Sequence, residues 1–329
     1  MDKKQIREFQ KVYAGISKNL KNKKWKCIID SCENYSINSH LLQQNGILNM
    51  IAEENHVIEV KAIDSFKWND SSSPLTFKRV SVKNALSLNL YCIKHDTEIF
   101  KPAETIPLKL DNYTTHILYT YRTVCAEIRK KEHTVETYER LLKSSTLSGT
   151  LPKNQFDVFI SGSKRGIEDL EVYKKNIEDE LNGADKKFEF KVIQHPLIKV
   201  YCSAGFNIYE TYQTPYEEIP LKYVFIHVIP DEKNLNIIVG YHKGFVKKSI
   251  IDYVESWDSL SMSELENRLT DLFATRVENW GLSPAIYREL DKGTEKAFIK
   301  YFGENSLNYL DGQKVNFNLF EGNNYGTQQ

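Results

Sequence analysis

The stretch Trp25-Lys26-Cys27-Ile28-Ile29-Asp30-Ser31-Cys32 opens the most informative part of this chain, which closes with Leu90-Tyr91-Cys92-Ile93-Lys94-His95-Asp96. Cys27 and Cys32 are separated by four residues, and Cys92 and His95 by two. Either spacing lets two side chains of one tight turn reach a single ion, and four such ligands match tetrahedral zinc. The sequence therefore predicts a zinc site formed by these four side chains.

Two questions about this site stay open at the level of sequence. The cysteines are alternatively unrelated buried residues, with His95 a surface histidine. Seven residues separate Cys32 from His40. As a ligand His40 would compete with His95, and as a non-ligand it would lie beside the first turn and be available for acid and base chemistry.

The composition indicates a globular chain without a strong overall electrostatic field. With 329 residues, of which 41% are hydrophobic, the chain is long enough for two domains with a core in each. Basic and acidic side chains number 44 each, so any contact with a nucleic acid must come from local patches. The basic run Lys18 to Lys26 is one candidate, but such runs are usually the solvated end of a helix, and we interpret it so.

No targeting or membrane segment is recognisable in the sequence. The residues Met1 to Arg7 contain no apolar signal segment, and no apolar run approaches the length that spans a bilayer. We therefore expect a cytoplasmic protein without a membrane partner. In a reducing cytosol a metal explains clustered cysteines better than disulfides do, and the odd count of five agrees.

The first half of the chain is predicted to be mainly helical, with one clear strand. The apolar spacing of residues 2–20 predicts an amphipathic helix, and Ser39 to Glu54 is interpreted as a helix, or a helix with a turn. His56 to Val60 alternates like a strand. The longest helical pattern runs from Asn112 to Ser144 and places Cys125 on its core face.

A change of pattern follows the small polar segment Ser144 to Lys153, which predicts a boundary between domains 1–150 and 151–329. Beyond it the sequence predicts a strand at Phe156–Ile160, a helix over 167–182, strands at Phe188–Gln194, Ile198–Tyr212, Lys222–Ile229 and Leu235–Tyr241, and helices at Ser263–Trp280 and Ser283–Phe302. The strands that flank Pro230 to Asn234 should form a hairpin at the centre of the sheet, since both their faces are apolar. The predicted class is α+β, a zinc-pinned α+β domain with a long helix followed by an α+β domain with a mainly antiparallel sheet.

The order of the candidate ligands resembles that of the HNH endonucleases, a family with a ββα-metal, or treble-clef-like, core often pinned by a structural zinc. The resemblance covers Cys27 to about Phe100: a cysteine pair, a histidine, an asparagine, and a second ligand pair at the start of a helix. It implies zinc on Cys27, Cys32, Cys92 and His95, with His40 as the general base, Asn84 or Asn89 orienting that base or its water, and Asp96 holding a magnesium or manganese ion on the scissile phosphate.

Three features differ from the family pattern. Four residues separate the first pair where the family has two, the second pair is Cys92 and His95 where the family has two cysteines followed by a histidine, and Ser39 stands where an acidic residue is usual. We therefore carry two predicted functions. The first is metal-dependent cleavage of DNA or RNA, for which a role in bacterial defence rests on the resemblance alone. The second is a non-catalytic zinc-stabilised module that binds nucleic acid, another protein or a second copy of the chain.

Overall fold

The computed structural model describes residues 2–68, 74–208, 220–305 and 315–321. They form a mixed α+β fold, which confirms the predicted class. The helices are α1 (Lys3–Lys21), α2 (Asn49–Ile51), α3 (Ile93–Phe100), α4 (Tyr113–Leu142), α5 (Lys153–Leu181), α6 (Lys248–Glu255), α7 (Met262–Thr275), α8 (Pro284–Glu289) and α9 (Lys292–Asn305). The strands are β1 (Asn38–His40), β2 (His56–Ala62), β3 (Leu75–Ser81), β4 (Ser87–Asn89), β5 (Phe188–Pro196), β6 (Val200–Asn207), β7 (Tyr223–Pro230), β8 (Asn234–His242) and β9 (Trp280–Leu282). None of these helices is long and apolar enough to cross a membrane.

Seven of the strands form one antiparallel sheet in the order β3-β2-β9-β6-β7-β8-β5. The short β9 links the strands of the first half to the others, since it pairs with β2 at Ile58 and Leu282 and with β6 at Val200 and Leu282. Strands from both sides of residue 150 thus share this sheet. The division into domains 1–150 and 151–329 stays a prediction.

The hairpin of β7 and β8 lies inside the sheet, as we predicted because both faces of its strands are apolar. Every residue of β7 is buried, and β7 pairs with β6 on one side and β8 on the other. The side chain of Asp231 shapes the turn by accepting the N–H groups of Lys233 and Asn234 at 2.8 and 2.7 Å. Strand β6 ends at Asn207, and the predicted continuation over residues 209–212 lies outside the described residues.

The long helix α4 is the central support of the molecule. Asn112 begins it, with a side-chain oxygen that accepts the N–H of Thr114 at 2.8 Å. All residues from Thr115 to Ala126 are buried because the helix packs against β6, β7 and α5. Cys125 is among them, which confirms its place in the core.

The prediction of a strand at Phe156–Ile160 and a helix beginning only at 167 is wrong, because one helix, α5, covers Lys153 to Leu181. Phe156 and Phe159 both contact Tyr138 of α4, with ring centroids at 5.2 and 5.6 Å. Residues three apart share a face of a helix but point to opposite faces of a strand. Packing against α4 therefore selects the helix.

The helices near the carboxyl end are shorter than predicted. Helix α7 ends at Thr275 and does not continue to Trp280, because Trp280 begins β9. The ring of Trp280 stacks on that of Phe273, with ring centroids 4.3 Å apart. The segment predicted as one helix from Ser283 to Phe302 is divided into α8 and α9. Asp291 causes the break, since its carboxylate accepts the N–H of Thr294 at 2.8 Å and starts a new helix.

The segment Ser39–Glu54, predicted as a helix or a helix with a turn, is only partly helical. It contains the end of β1, a π-helical turn at Gln44–Leu48 and the single turn α2. Strand β1 pairs with β4 in a separate two-stranded sheet, with His40 opposite Ser87, and α3 begins four residues after β4. This antiparallel pair and the helix that follows it carry the candidate site.

Candidate metal centre

The first two candidate ligands lie in a tight turn that backbone hydrogen bonds close. The N–H of Cys27 donates to the carbonyl of Asn34 at 2.9 Å, and the N–H of Cys32 donates to that of Ile29 at 3.1 Å. Ser31 takes up a left-handed conformation with φ of 62°, which reverses the chain immediately before Cys32. The turn thereby directs both sulfur atoms to one side.

The other two candidate ligands lie at the amino end of α3. Cys92 is the residue that precedes the first turn, and its carbonyl accepts the N–H of Asp96 at 2.9 Å. His95 is the third residue of the helix. A residue at the helix start and one three positions later lie on the same side of the first turn, so both side chains face the turn of Cys27 and Cys32.

The four side chains bring their ligand atoms within 4.8 Å of one another. The sulfur atoms of Cys32 and Cys92 are 3.9 Å apart, and Nδ1 of His95 lies 3.3 Å from the sulfur of Cys27 and 3.5 Å from that of Cys92. A tetrahedral zinc ion with ordinary bond lengths separates two sulfur ligands by about 3.8 Å and a sulfur from a nitrogen by about 3.6 Å. The cluster therefore has the dimensions of a Cys3His site for a metal ion such as zinc.

The surroundings of the two buried cysteines affect their thiols in opposite ways. Burial raises the pKa of Cys27 to about 11, because a thiolate there would lose hydration. Burial also opposes ionisation of Cys92, but the backbone N–H groups of His95 and Lys94 and the neighbouring thiols outweigh it and lower the pKa of Cys92. Cys92 thus resembles the thiolates that helix amino termini stabilise.

Both long helices contact the turn of Cys27 and Cys32. From α4, the guanidinium of Arg129 donates to the carbonyl of Lys26 at 2.8 Å. From α5, the ammonium of Lys174 lies 2.7 Å from the carboxylate of Asp30, and 98% of that lysine side chain is removed from solvent. These contacts fix the turn to the core of the molecule, and nothing in the local sequence around Cys27 indicated them.

His40 lies at the end of β1 and is not part of the ligand cluster. Its Nε2 is 2.9 Å from the carbonyl of Val82. A neutral imidazole that donates this N–H keeps a lone pair on Nδ1, which is the form that accepts a proton. Within the described residues His95 completes the cluster, so His40 is not one of its members, and its availability for acid and base chemistry stays a prediction.

The two candidate asparagines lie in two different elements that contact β1. Asn84 ends the single helical turn Val82–Asn84 that holds His40, is exposed, and donates to the hydroxyl of Ser81 at 3.1 Å. Asn89 lies in β4 opposite Asn38, two residues along the strand from the partner of His40. His40 contacts the turn that contains Asn84 through its own hydrogen bond to the carbonyl of Val82. No contact in the described residues links Asn89 to His40.

Asp96 lies in the first turn of α3 and belongs to a group of buried polar side chains. Burial raises its pKa, while the guanidinium of Arg122, the hydroxyl of Ser39 and the ring of His40 act in the opposite direction. Arg122 is only 1% exposed and lies 3.8 Å from Asp96 and 2.5 Å from Glu104. The charge of Asp96 is therefore balanced by a cation of the protein itself.

Sequence reasoning missed Arg122 and Glu104. The guanidinium of Arg122 packs 4.0 Å above the ring of Phe100, and its Nε and Nη1 atoms have no hydrogen-bond partner among the described residues. The available signal was an arginine inside the otherwise apolar pattern of α4, between Tyr121 and Val124. Such a residue on a buried face needs a partner, but the sequence does not say which acid provides it.

Two further histidines, His227 and His242, pack inside the described part of the fold. His227 lies opposite Ile238 and is fully buried. His242 packs against Phe188 and Phe245 with ring centroids at 4.9 and 4.1 Å. The two histidines form no metal cluster with each other in the part of the chain described.

Comparison of the chain with protein-family models, with curated proteins and with solved structures found no match.

Proposed function

We propose that this chain is a metal-dependent nuclease whose active site is built on a zinc-stabilised ββα unit. The single observation that supports the proposal best is the arrangement of β1, β4 and α3 around the Cys3His cluster, with His40 at the end of β1 and Asp96 in the first turn of α3. The resemblance of the sequence to HNH endonucleases, which have a ββα-metal core, supports the same proposal.

In this proposal His40 is the general base. Donation of its Nε2–H to Val82 leaves Nδ1 to accept the proton of the attacking water. Asn84 lies on the same turn as Val82 and is exposed, so its amide is available to orient a water or a phosphate oxygen. Zinc on the four ligands would hold β1 and α3 in register without taking part in the chemistry.

Asp96 fits a magnesium or manganese ion less well than the four ligands fit zinc. The described residues contain no second group of three ligand-type side chains, so such an ion would depend on Asp96, water and the oxygens of the substrate. When bound, it would stabilise the charge that develops on the phosphate. Arg122 lies 3.8 Å from Asp96, and this ion pair within the protein favours a second candidate function, a non-catalytic zinc-stabilised module that binds nucleic acid or protein.

A cleavage assay separates the two functions. Purified protein is incubated with single- and double-stranded DNA and RNA in the presence of Mg²⁺ or Mn²⁺, and its zinc content is measured in parallel. The nuclease proposal predicts cleavage that His40→Ala lowers by about a hundredfold or more at unchanged stability. His56→Ala is the matched control, because the side chain of His56 has a hydrogen bond only to the nearby carbonyl of Glu54 among the described residues. Intact nucleic acid in every reaction would leave the binding module as the better proposal.

A further inference from the structure

Helix α1 carries an unusual concentration of positive charge for a chain whose net charge is zero. Its 19 residues include six basic side chains and one acidic side chain, Glu8. The basic residues are Lys3, Lys4, Arg7, Lys11, Lys18 and Lys21, which we call the basic stripe. The sequence had drawn attention to Lys18–Lys26, but the structure shows that most of the stripe lies nearer the amino end.

The six side chains lie on one face of the helix. With about 100° of rotation per residue, they fall within an arc of roughly 100°. The stripe extends from the first turn to the last, a distance of about 27 Å at 1.5 Å per residue. All six residues are exposed, and none of them forms an ion pair within the described parts of the chain.

The opposite face of α1 is occupied by the protein. Ile16 and Leu20 are buried in a cluster with Trp25 and Leu141, and Tyr13 packs on Trp68 with ring centroids 5.0 Å apart. A membrane-surface helix needs its apolar face free to enter the lipid. Since that face is covered here, the structure favours a polar anionic partner over a lipid surface.

The amino-terminal part of the stripe is unfavourable for the helix itself, whereas Lys18 and Lys21 lie in the last turn, where the helix dipole favours positive charge. Lys3, Lys4 and Arg7 lie near the amino end, where the helix dipole disfavours positive charge, and the first turn contains no acidic residue. Like charges repel in the pairs Lys3 and Arg7, Lys4 and Arg7, and Arg7 and Lys11, which are three or four residues apart. A pattern that weakens its own helix is expected where a partner uses the charges.

We propose that the basic stripe of α1 binds the phosphate backbone of a nucleic acid. The inference rests on the proposed function, whose substrate it would position, but it holds equally for a module that binds without cleaving. Each strand of a duplex carries one phosphate per about 3.4 Å of helix axis, so a stripe of this length extends along roughly eight base pairs and can reach several phosphates. After α1 the chain reaches Cys27 within six residues, which places the stripe next to the candidate metal centre in the sequence.

The test compares two full-length variants that lose the same amount of charge. The stripe variant carries Lys4→Gln, Arg7→Gln, Lys11→Gln and Lys18→Gln. The control variant carries the same change at four exposed lysines elsewhere, Lys175, Lys233, Lys243 and Lys296. Binding to a labelled DNA duplex of about 20 base pairs and to the corresponding single-stranded RNA is measured over a series of salt concentrations.

The stripe variant should bind at least about tenfold more weakly at moderate salt. The dependence of log affinity on log salt should fall by up to about 3.6 for the duplex, whereas the control should resemble the wild type. The melting temperature of the stripe variant should stay equal or rise, because repulsion within α1 is relieved. A loss of binding caused by unfolding would lower it instead.

Several results would overturn this inference. One is equal weakening in both variants, which would indicate an effect of net charge alone, and another is wild-type protein that binds neither nucleic acid. Stripe-dependent binding to phosphatidylserine vesicles without binding to nucleic acid would replace the partner by a membrane. Stripe-dependent binding without any cleavage would support this inference while rejecting the nuclease, and cleavage that the stripe variant performs normally would do the reverse.

Discussion

The Cys3His cluster and a second group, formed by Thr120, Thr123, Ser203 and His227, contain similar reactive side chains in very different surroundings. In the second group His227 lies 3.0 Å from Ser203 and 3.2 Å from Thr120, and Ser203 lies 2.8 Å from Thr123. A serine and a histidine at this distance resemble a nucleophile and its base.

The difference lies in access and in hydrogen bonding. All four residues of the second group are fully buried where α4 packs on β6 and β7, and both nitrogens of His227 have hydroxyl partners. In the Cys3His cluster, Cys32 and His95 are half-buried, and the ligand atoms are spaced as a tetrahedral ion requires. Proximity of reactive residues is therefore insufficient to define a site. An opening to solvent and a gap that fits the ligand are also needed.

Removal of the metal should have the largest effect on stability, and it tests the Cys3His cluster directly. Purified protein should contain close to one zinc per chain, and chelation or Cys32→Ser should lower the melting temperature by roughly 10 °C or more, since structural zinc contributes about 10 kcal/mol in small domains. Cys202→Ala is the control, because Cys202 is buried next to Ser203 and belongs to no group of metal-ligand side chains among the described residues. Absence of bound zinc together with unchanged melting after chelation would contradict the site.

Acidification should have an intermediate effect on stability, and this effect tests His227 of the second group. Burial lowers the pKa of His227 to about 3, whereas the unfolded chain binds that proton near pH 6.5. The unfolded state thus gains a proton first. His227 alone should therefore decrease the free energy of unfolding by about 1.4 kcal/mol per pH unit as the pH falls from about 6.5 towards 3.

Denaturant unfolding at pH 7.5 and pH 5 measures this effect. His227→Gln should remove roughly 2 kcal/mol of the difference between the two conditions, since the glutamine does not titrate. His56→Gln, at the half-buried first residue of β2, is the matched control. If His227→Gln retains the full dependence on pH, the buried histidine does not cause it.

Asp30→Asn should have the smallest effect on stability, and it tests the contact between the turn of Cys27 and Cys32 and α5. Lys174 would keep Glu171 at 3.4 Å and Glu178 at 3.6 Å, and the side chain of Asp30 is 81% exposed. The free energy of unfolding should therefore change by less than about 1 kcal/mol. Glu33→Gln in the same turn is the comparison, since its partner Lys26 is also exposed. A loss well above 1 kcal/mol in denaturant unfolding would show that this ion pair anchors the turn.

The sequence by itself determined the elements whose pattern is long or chemically specific. The sequence predicted the helical periodicity of α1 and α4 and the central hairpin of β7 and β8, and it singled out the four side chains that the fold brings together in the Cys3His cluster. Each of these depends on residues near one another in the chain or on ligand types that few other roles require.

Only the tertiary structure decided the features that depend on distant partners. Helix α5 forms where a strand was expected because Phe156 and Phe159 meet Tyr138, and β9 exists because β2 and β6 lie on either side of it. Arg122 next to Asp96 also joins segments far apart in the chain. Local sequence cannot specify such contacts, because their free energy comes from burying and pairing groups that only the folded chain brings together.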